Sequence, residues 1–237
     1  VEVNTSEAPP AILSAALKVY IAFSVDVSGE NVPDPSVIHA PVDAPPVTVP
    51  LSVKEFVPIH NAVSFPALTF GPLIIQAIRK CTQCHLETHL MIQDPHKSID
   101  QYINSGSDTI IIHLEASKNP MDELSYIRKN NVCAGIAINP DTDEKLLEPL
   151  IEYLDYILIM SVFPGRGGQD FISSTLDKMK NIVNMKENRD ITIAVDGGVN
   201  LETISKVYET GIDVTIVGSD LFRSNNVFQR FKDLLDA

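Results

Sequence analysis

From residue 67 to the C-terminus the chain alternates between two hydrophobic periods, and few folds accept that alternation. Short β-branched runs at 86–92, 109–114, 133–138, 156–162, 191–195 and 214–217 read as buried strands. Helical-period runs lie between them. The run 95–104 carries Ile99, Tyr102 and Ile103 at helical spacing, and a segment from Asp141 puts Leu146, Leu147, Leu150 and Ile151 on one face. Two more occupy 173–183 and 201–210, the latter ending at Gly211 as a C-cap. Strand starts recur roughly every 22–35 residues, the length of a βα unit, and right-handed crossovers then give a parallel sheet. Six units are legible, and 11–15 reads as a first strand. One more strand between 16 and 66 makes eight and closes a (β/α)8 TIM barrel. In that fold the active site lies at the C-terminal strand ends, where His89, His113, Asn139, Met160, Asp196 and Gly218 fall.

The first quarter of the chain is different. Ten of the sixteen prolines lie within 1–66, and Ala44-Pro-Pro-Val-Thr-Val-Pro50 cannot be helix and makes a poor central strand. The stretch 41–58 therefore reads as a long irregular, proline-rich segment of a single 1–237 barrel domain. The net charge of −13 argues against nucleic acid as a partner. No run of eighteen apolar residues exists, so no membrane span is expected, and no basic region followed by an apolar stretch marks a signal peptide. Three cysteines suggest a reducing compartment, hence the cytoplasm. Cys81-Thr-Gln-Cys84 has redox or zinc spacing, but without a second pair it reads as two ordinary thiols.

Three glycine turns follow the last strands: Met160-Ser-Val-Phe-Pro-Gly-Arg-Gly-Gly-Gln169, Val195-Asp-Gly-Gly-Val199 and Val217-Gly-Ser219. Glycines at a strand's end let bare backbone N–H groups approach an anion, so the three together read as one phosphate cradle with Asp196 in its middle. Gly165, Arg166, Gly167, Gly168, Gly197, Gly198, Gly218 and Ser219 are its candidate residues. Arg166 either adds a direct charge to the phosphate or is simply solvated.

In order along the chain, these stretches resemble the ribulose-phosphate 3-epimerase family. Ala11-Ile-Leu-Ser-Ala15 resembles its opening strand, and Leu68-Thr-Phe-Gly-Pro72 its loop before the second helix. His89-Leu-Met-Ile-Gln-Asp-Pro95, His113-Leu-Glu115, Ile138-Asn-Pro140 and the three glycine turns follow, and the match is continuous over 67–237. The resemblance implies a ribulose-phosphate-binding barrel that interconverts D-ribulose 5-phosphate and D-xylulose 5-phosphate, acting as a homo-oligomer on a phosphorylated ketopentose. Moving a proton from one face of a carbon to the other requires an acid/base group on each face. The family uses two aspartates and a divalent metal, usually zinc or ferrous iron, held by two histidines and both aspartates. Asp196 matches one such aspartate, both proton handler and metal ligand, and His89 matches a histidine ligand that also borders the substrate. Met91 and Met160 match methionines lining the site. Read without the resemblance, His89 could be a core histidine, Asp196 a turn aspartate capping the next helix, and both methionines strand-end core.

The family's second strand reads His-x-Asp-x-Met-Asp-Gly, and that string is absent. Three stretches compete for its roles: Val37-Ile-His39-Ala-Pro-Val-Asp43, Ser24-Val-Asp26-Val-Ser-Gly29 and Ile59-His60-Asn61-Ala62. Spacing favours the first, with His39 as metal ligand and Asp43 as the second base, although Asp43 follows four residues after His39 rather than two. Ala11 also replaces the opening-strand serine, which removes one hydrogen bond to substrate. Without a working base on that strand, the chain would be a non-catalytic phosphosugar-binding barrel, or an enzyme acting on another phosphosugar such as allulose 6-phosphate.

Overall fold

A computed structural model describes residues 71–165 and 168–237, together with the strand backbones 16–19, 49–56 and 67–68. Nine strands join in one sheet in the order β1-β9-β8-β7-β6-β5-β4-β2-β3. They are β1 Ala16–Val19, β2 Val49–Phe56, β3 Ala67–Leu68, β4 Leu86–Met91, β5 Thr109–His113, β6 Cys133–Ile138, β7 Tyr156–Met160, β8 Thr192–Asp196 and β9 Val214–Val217. Every pairing is parallel except the two-residue β3, which runs antiparallel to the end of β2. The six strands after residue 85 lie where the β-branched runs predicted them, within two residues at their ends.

The helices are α1 Pro72–Cys81, α2 Ile99–Asn104, α3 Pro120–Lys129, α4 Thr175–Lys186, α5 Ile204–Tyr208, α6 Ser219–Phe222 and α7 Val227–Leu235. Prolines open α1 and α3, where a missing N–H costs nothing. The segment after Asp141 forms tight 3-10 turns over Glu144–Tyr153 rather than a regular α-helix. Pro149 lies inside it and removes a backbone donor. Leu147, Leu150 and Ile151 still bury there as expected, whereas Leu146 points outward, 55% exposed.

One sequence expectation changes in the first quarter. The segment 41–58 is not wholly irregular, because Val49–Phe56 is a strand paired along β4 from Val49↔Leu86 to Lys54↔Met91. Pro50 is tolerated because β2 ends the parallel array, and β3 reaches only Glu55 and Phe56 on its other side. The strand beside β9 is Ala16–Val19, immediately after the predicted 11–15, which lies outside the described residues.

The side-chain period of two splits each strand between two cores. Ile110, Ile112, Ile136, Ile138, Ile157, Ile159, Ile193 and Val195 pack under the helices. Their alternates Ile111, Ala137, Leu158, Ala194 and Ile216 pack together on the opposite face with Tyr156, Met160 and Val214. Burial on both faces is why the strands read as continuous hydrophobic runs. The inner face then carries, at its C-terminal end, Met91, His113, Met160, Asp196 and Gly218, with His89 one inward step deeper on β4.

Candidate active site

The loop after β7 and the turn after β8 are tied together at the backbone. Ser161 donates its N–H to the carbonyl of Asp196 at 2.9 Å, and its hydroxyl donates to Gly197 O at 2.5 Å. Gly197 and Gly198 take φ of +124° and +66°, and a Cβ on Gly198 would lie 2.6 Å from the amide nitrogen of Phe171. The glycine pair is therefore needed for the close approach of Val162 and Phe171 to this turn. Gly218 differs, since a Cβ there would meet nothing within 4 Å, so its backbone borders open space.

That space is a cleft of about 370 Å³, within the range of small-molecule sites. Met91, Met160, Gly165, Gly168, Asp196, Gly197, Gly198, Gly218 and Ser219 all line it, so most of the predicted residues come together. Asp196 does not cap the next helix: α5 starts eight residues on, with Thr203 at its N-cap. Met160 is both core and wall, 1% exposed yet at the cleft. Arg166, Gly167, His39 and Asp43 lie outside the described residues, as do the competing stretches around Asp26 and His60.

His89 lies behind the cleft, 1% exposed and stacked on His113 with ring centroids 4.8 Å apart. Their Nε2 atoms are 2.8 Å apart, and His113 Nδ1 is 3.3 Å from Glu115 Oε2. Burial pushes the Glu115 carboxyl up, but bonds from His113, the Thr142 hydroxyl and the Asn139 amide more than offset it, holding it near 2. Glu115 is thus an anion that accepts, so His113 Nδ1 carries the proton. His113 Nε2 and His89 Nε2 then face each other, one donating and the other accepting.

Residues that the sequence reading passed over also border the cleft, notably Asn200, Asp220, Arg223 and Arg230. A signal for Arg223 was present: it follows Ser219 by four residues and so shares a helix face with the cradle. Arg230 and Asp220 come together only through the packing of α7 on α6, with Arg230 Nε 3.7 Å from Asp220 Oδ2.

A parallel α/β sheet with an acid and glycine turns at its C-terminal strand ends belongs to the class of α/β folds whose ligand sites lie at those ends. Solved structures share the fold at low identity. A tryptophan synthase complex from Pyrococcus furiosus superposes with a TM-score of 0.58 at 14% identity, covering 81% of this chain and 87% of that one. KGPDC from Streptococcus mutans does so at 0.57 and 13%, covering 71% and 79%. The particular family comes from sequence. Residues 56–222 match the model of the ribulose-phosphate 3 epimerase family, and the chain belongs to that family. Ribulose-phosphate 3-epimerase of Bacillus subtilis is 39% identical over 160 residues, 66% of this chain and 74% of that protein. The enzyme of Chlamydia pneumoniae is 37% identical over 176 residues, 72% and 76% of the two chains.

Proposed function

We propose that the chain is an isomerase that interconverts D-ribulose 5-phosphate and D-xylulose 5-phosphate by inverting C3. The observation that carries this reading is Asp196, held at the mouth of β8 beside Gly197 and Gly198 in a cleft that Gly218 leaves open. The relatives named ribulose-phosphate 3-epimerase support it. The cradle glycines and Ser219 take the phosphate through backbone N–H groups, which fixes the sugar so that C3 reaches the carboxylates. Asp196 handles the proton on one face of C3, and Asp43 is proposed for the other. The proton leaves C3 to one carboxylate, the electron pair spreads onto the carbonyl oxygen, and the opposite carboxylic acid returns a proton to C3.

His89 and Asp196 are donors of the kind that zinc or ferrous iron takes, and the His113–Glu115 pair fixes the orientation of the His89 ring. Among the described residues no three such groups converge, so His39 and Asp43 are the proposed remaining ligands. A bound divalent ion would stabilise the negative charge that builds on the substrate oxygens. Eight parallel strands, from β2 round to β1, support closure into a (β/α)8 barrel of the ribulose-phosphate-binding type. Cys81, Cys84 and Cys133 are free thiols, which supports a reducing compartment and hence the cytoplasm. No helix among the described residues is long and apolar enough to cross a membrane. A homo-oligomer completes the proposal.

Asp196→Asn tests the assignment while preserving size and shape. It should lower kcat by at least about 10²-fold, the scale of a lost acid/base group, while the fold and phosphate affinity persist. Full turnover of D-ribulose 5-phosphate by the variant would sink it.

A further inference from the structure

We propose that Arg223 supplies the positive charge for the ligand's phosphate and makes this site select phosphorylated over unphosphorylated sugars. The inference rests on the phosphate-cradle reading above. A phosphate monoester carries nearly two negative charges at neutral pH, and the chain's net charge of −13 repels it. Backbone N–H groups supply only partial charges. The helix at the cradle, α6, has four residues, so its dipole is small. A full positive charge beside those donors would offset the repulsion.

The charged side chains that line the cleft among the described residues are Asp170, Asp196, Asp220, Arg223 and Arg230. Arg230 is engaged by Asp220 at 3.7 Å. Arg223 forms no ion pair among the described residues, and its side chain is exposed toward the cleft. Its guanidinium is seated on the β7–α4 loop, since a Cβ added to Gly168 would lie 2.6 Å from Nη2 and 2.9 Å from Nη1. Gly168, with φ of +74°, thus leaves the room that holds the fork of donors across the cleft. Ser219 and Gly218 begin the same turn, one helical step before Arg223. The arginine therefore stands beside the backbone donors, where a phosphate meets both.

Arg223 acts as a positioning and selectivity residue, because it binds ground state and transition state alike. Calorimetry with inorganic phosphate and steady-state kinetics with D-ribulose 5-phosphate test it on the full chain. Arg223→Gln should raise the phosphate Kd and the sugar-phosphate KM about tenfold with little change in kcat, as loss of uniform binding does. Arg223→Lys should keep most of the phosphate affinity, because charge rather than packing is restored. Arg189→Gln removes a cation paired with Glu152 and Glu187 on the surface, and it should leave the phosphate Kd unchanged. An Arg223→Gln protein that binds phosphate like wild type overturns the inference, as does an equal loss in Arg189→Gln. Wild type that binds no inorganic phosphate overturns the inference together with the cradle. Wild type that binds phosphate but turns over no D-ribulose 5-phosphate overturns the epimerase reading alone, and the phosphate titrations still decide for Arg223.

Discussion

Glu115 concentrates the electrostatics behind the cleft into one carboxylate. It accepts from His113, from the Thr142 hydroxyl and from Asn139 N–H at 2.7 Å, and these bonds hold its carboxyl near 2 against an ordinary 4.5. A carboxyl that titrates lower when folded contributes stability that is fully present above about pH 4.5 and is lost as pH falls toward 2. Glu115→Gln should therefore lower stability at pH 7 by roughly 1–2 kcal/mol, the full shift being discounted because the side chain is partly exposed. It should also flatten the acid limb of a stability-versus-pH profile between pH 4.5 and 2. Urea melts across that range check both, and an acid limb as steep as wild type would refute the role. Among the site residues, Asp196 was legible because a glycine pair follows it in sequence. The His89–His113–Glu115 chain was visible only as motif fragments. Its links to Asn139 and Thr142 span 24 and 27 residues, which no local pattern encodes.

Six strands were legible because each is buried on both faces and so reads as an unbroken β-branched run. The strand β2 was hidden for the opposite reason: its proline and polar residues mark a loop, and only pairing with β4 reveals it. Pro149 likewise turned a predicted helix into 3-10 turns. The loop that leads from β6 into those turns is held by a single buried cation. Lys178 of α4, 8% exposed, donates to the carbonyls of Asn139 at 2.9 Å, Pro140 at 2.8 Å and Thr142 at 2.5 Å. The same loop presents Asn139 N–H and the Thr142 hydroxyl to Glu115, so α4 steadies the network behind His89. Lys178→Met keeps the length of the side chain but strands three carbonyls, and should cost about 2–3 kcal/mol. Denaturant unfolding reads this directly, and a wild-type midpoint would show that water satisfies those carbonyls equally well.

At the scale of the whole molecule, the two halves of the sheet come from unequal stretches of sequence. Residues 86–217 form a continuous array from β4 to β9 whose order follows the chain. The strands that cover its two flanks, β2 on β4 and β1 on β9, both come from the proline-rich first quarter. Without them β4 and β9 would each present an open edge of backbone donors and acceptors on a sheet buried on both faces. Such edges recruit other chains. The acidic surface opposes that recruitment through like-charge repulsion, but the Debye length of about 8 Å at physiological salt leaves it little reach across a direct strand contact. A chain beginning at Gly71 keeps the predicted βα periodicity, the cleft and Asp196, and loses the two flanking strands, the two-residue β3 and their connections. It should therefore aggregate or unfold without cooperativity, bind a hydrophobic dye, and become less soluble as salt rises. Light scattering and thermal melts of the two chains decide the matter. A monodisperse truncated protein with the full-length melting temperature would mean that the flanks of the array need no cover, and that β1 and β2 serve the site alone.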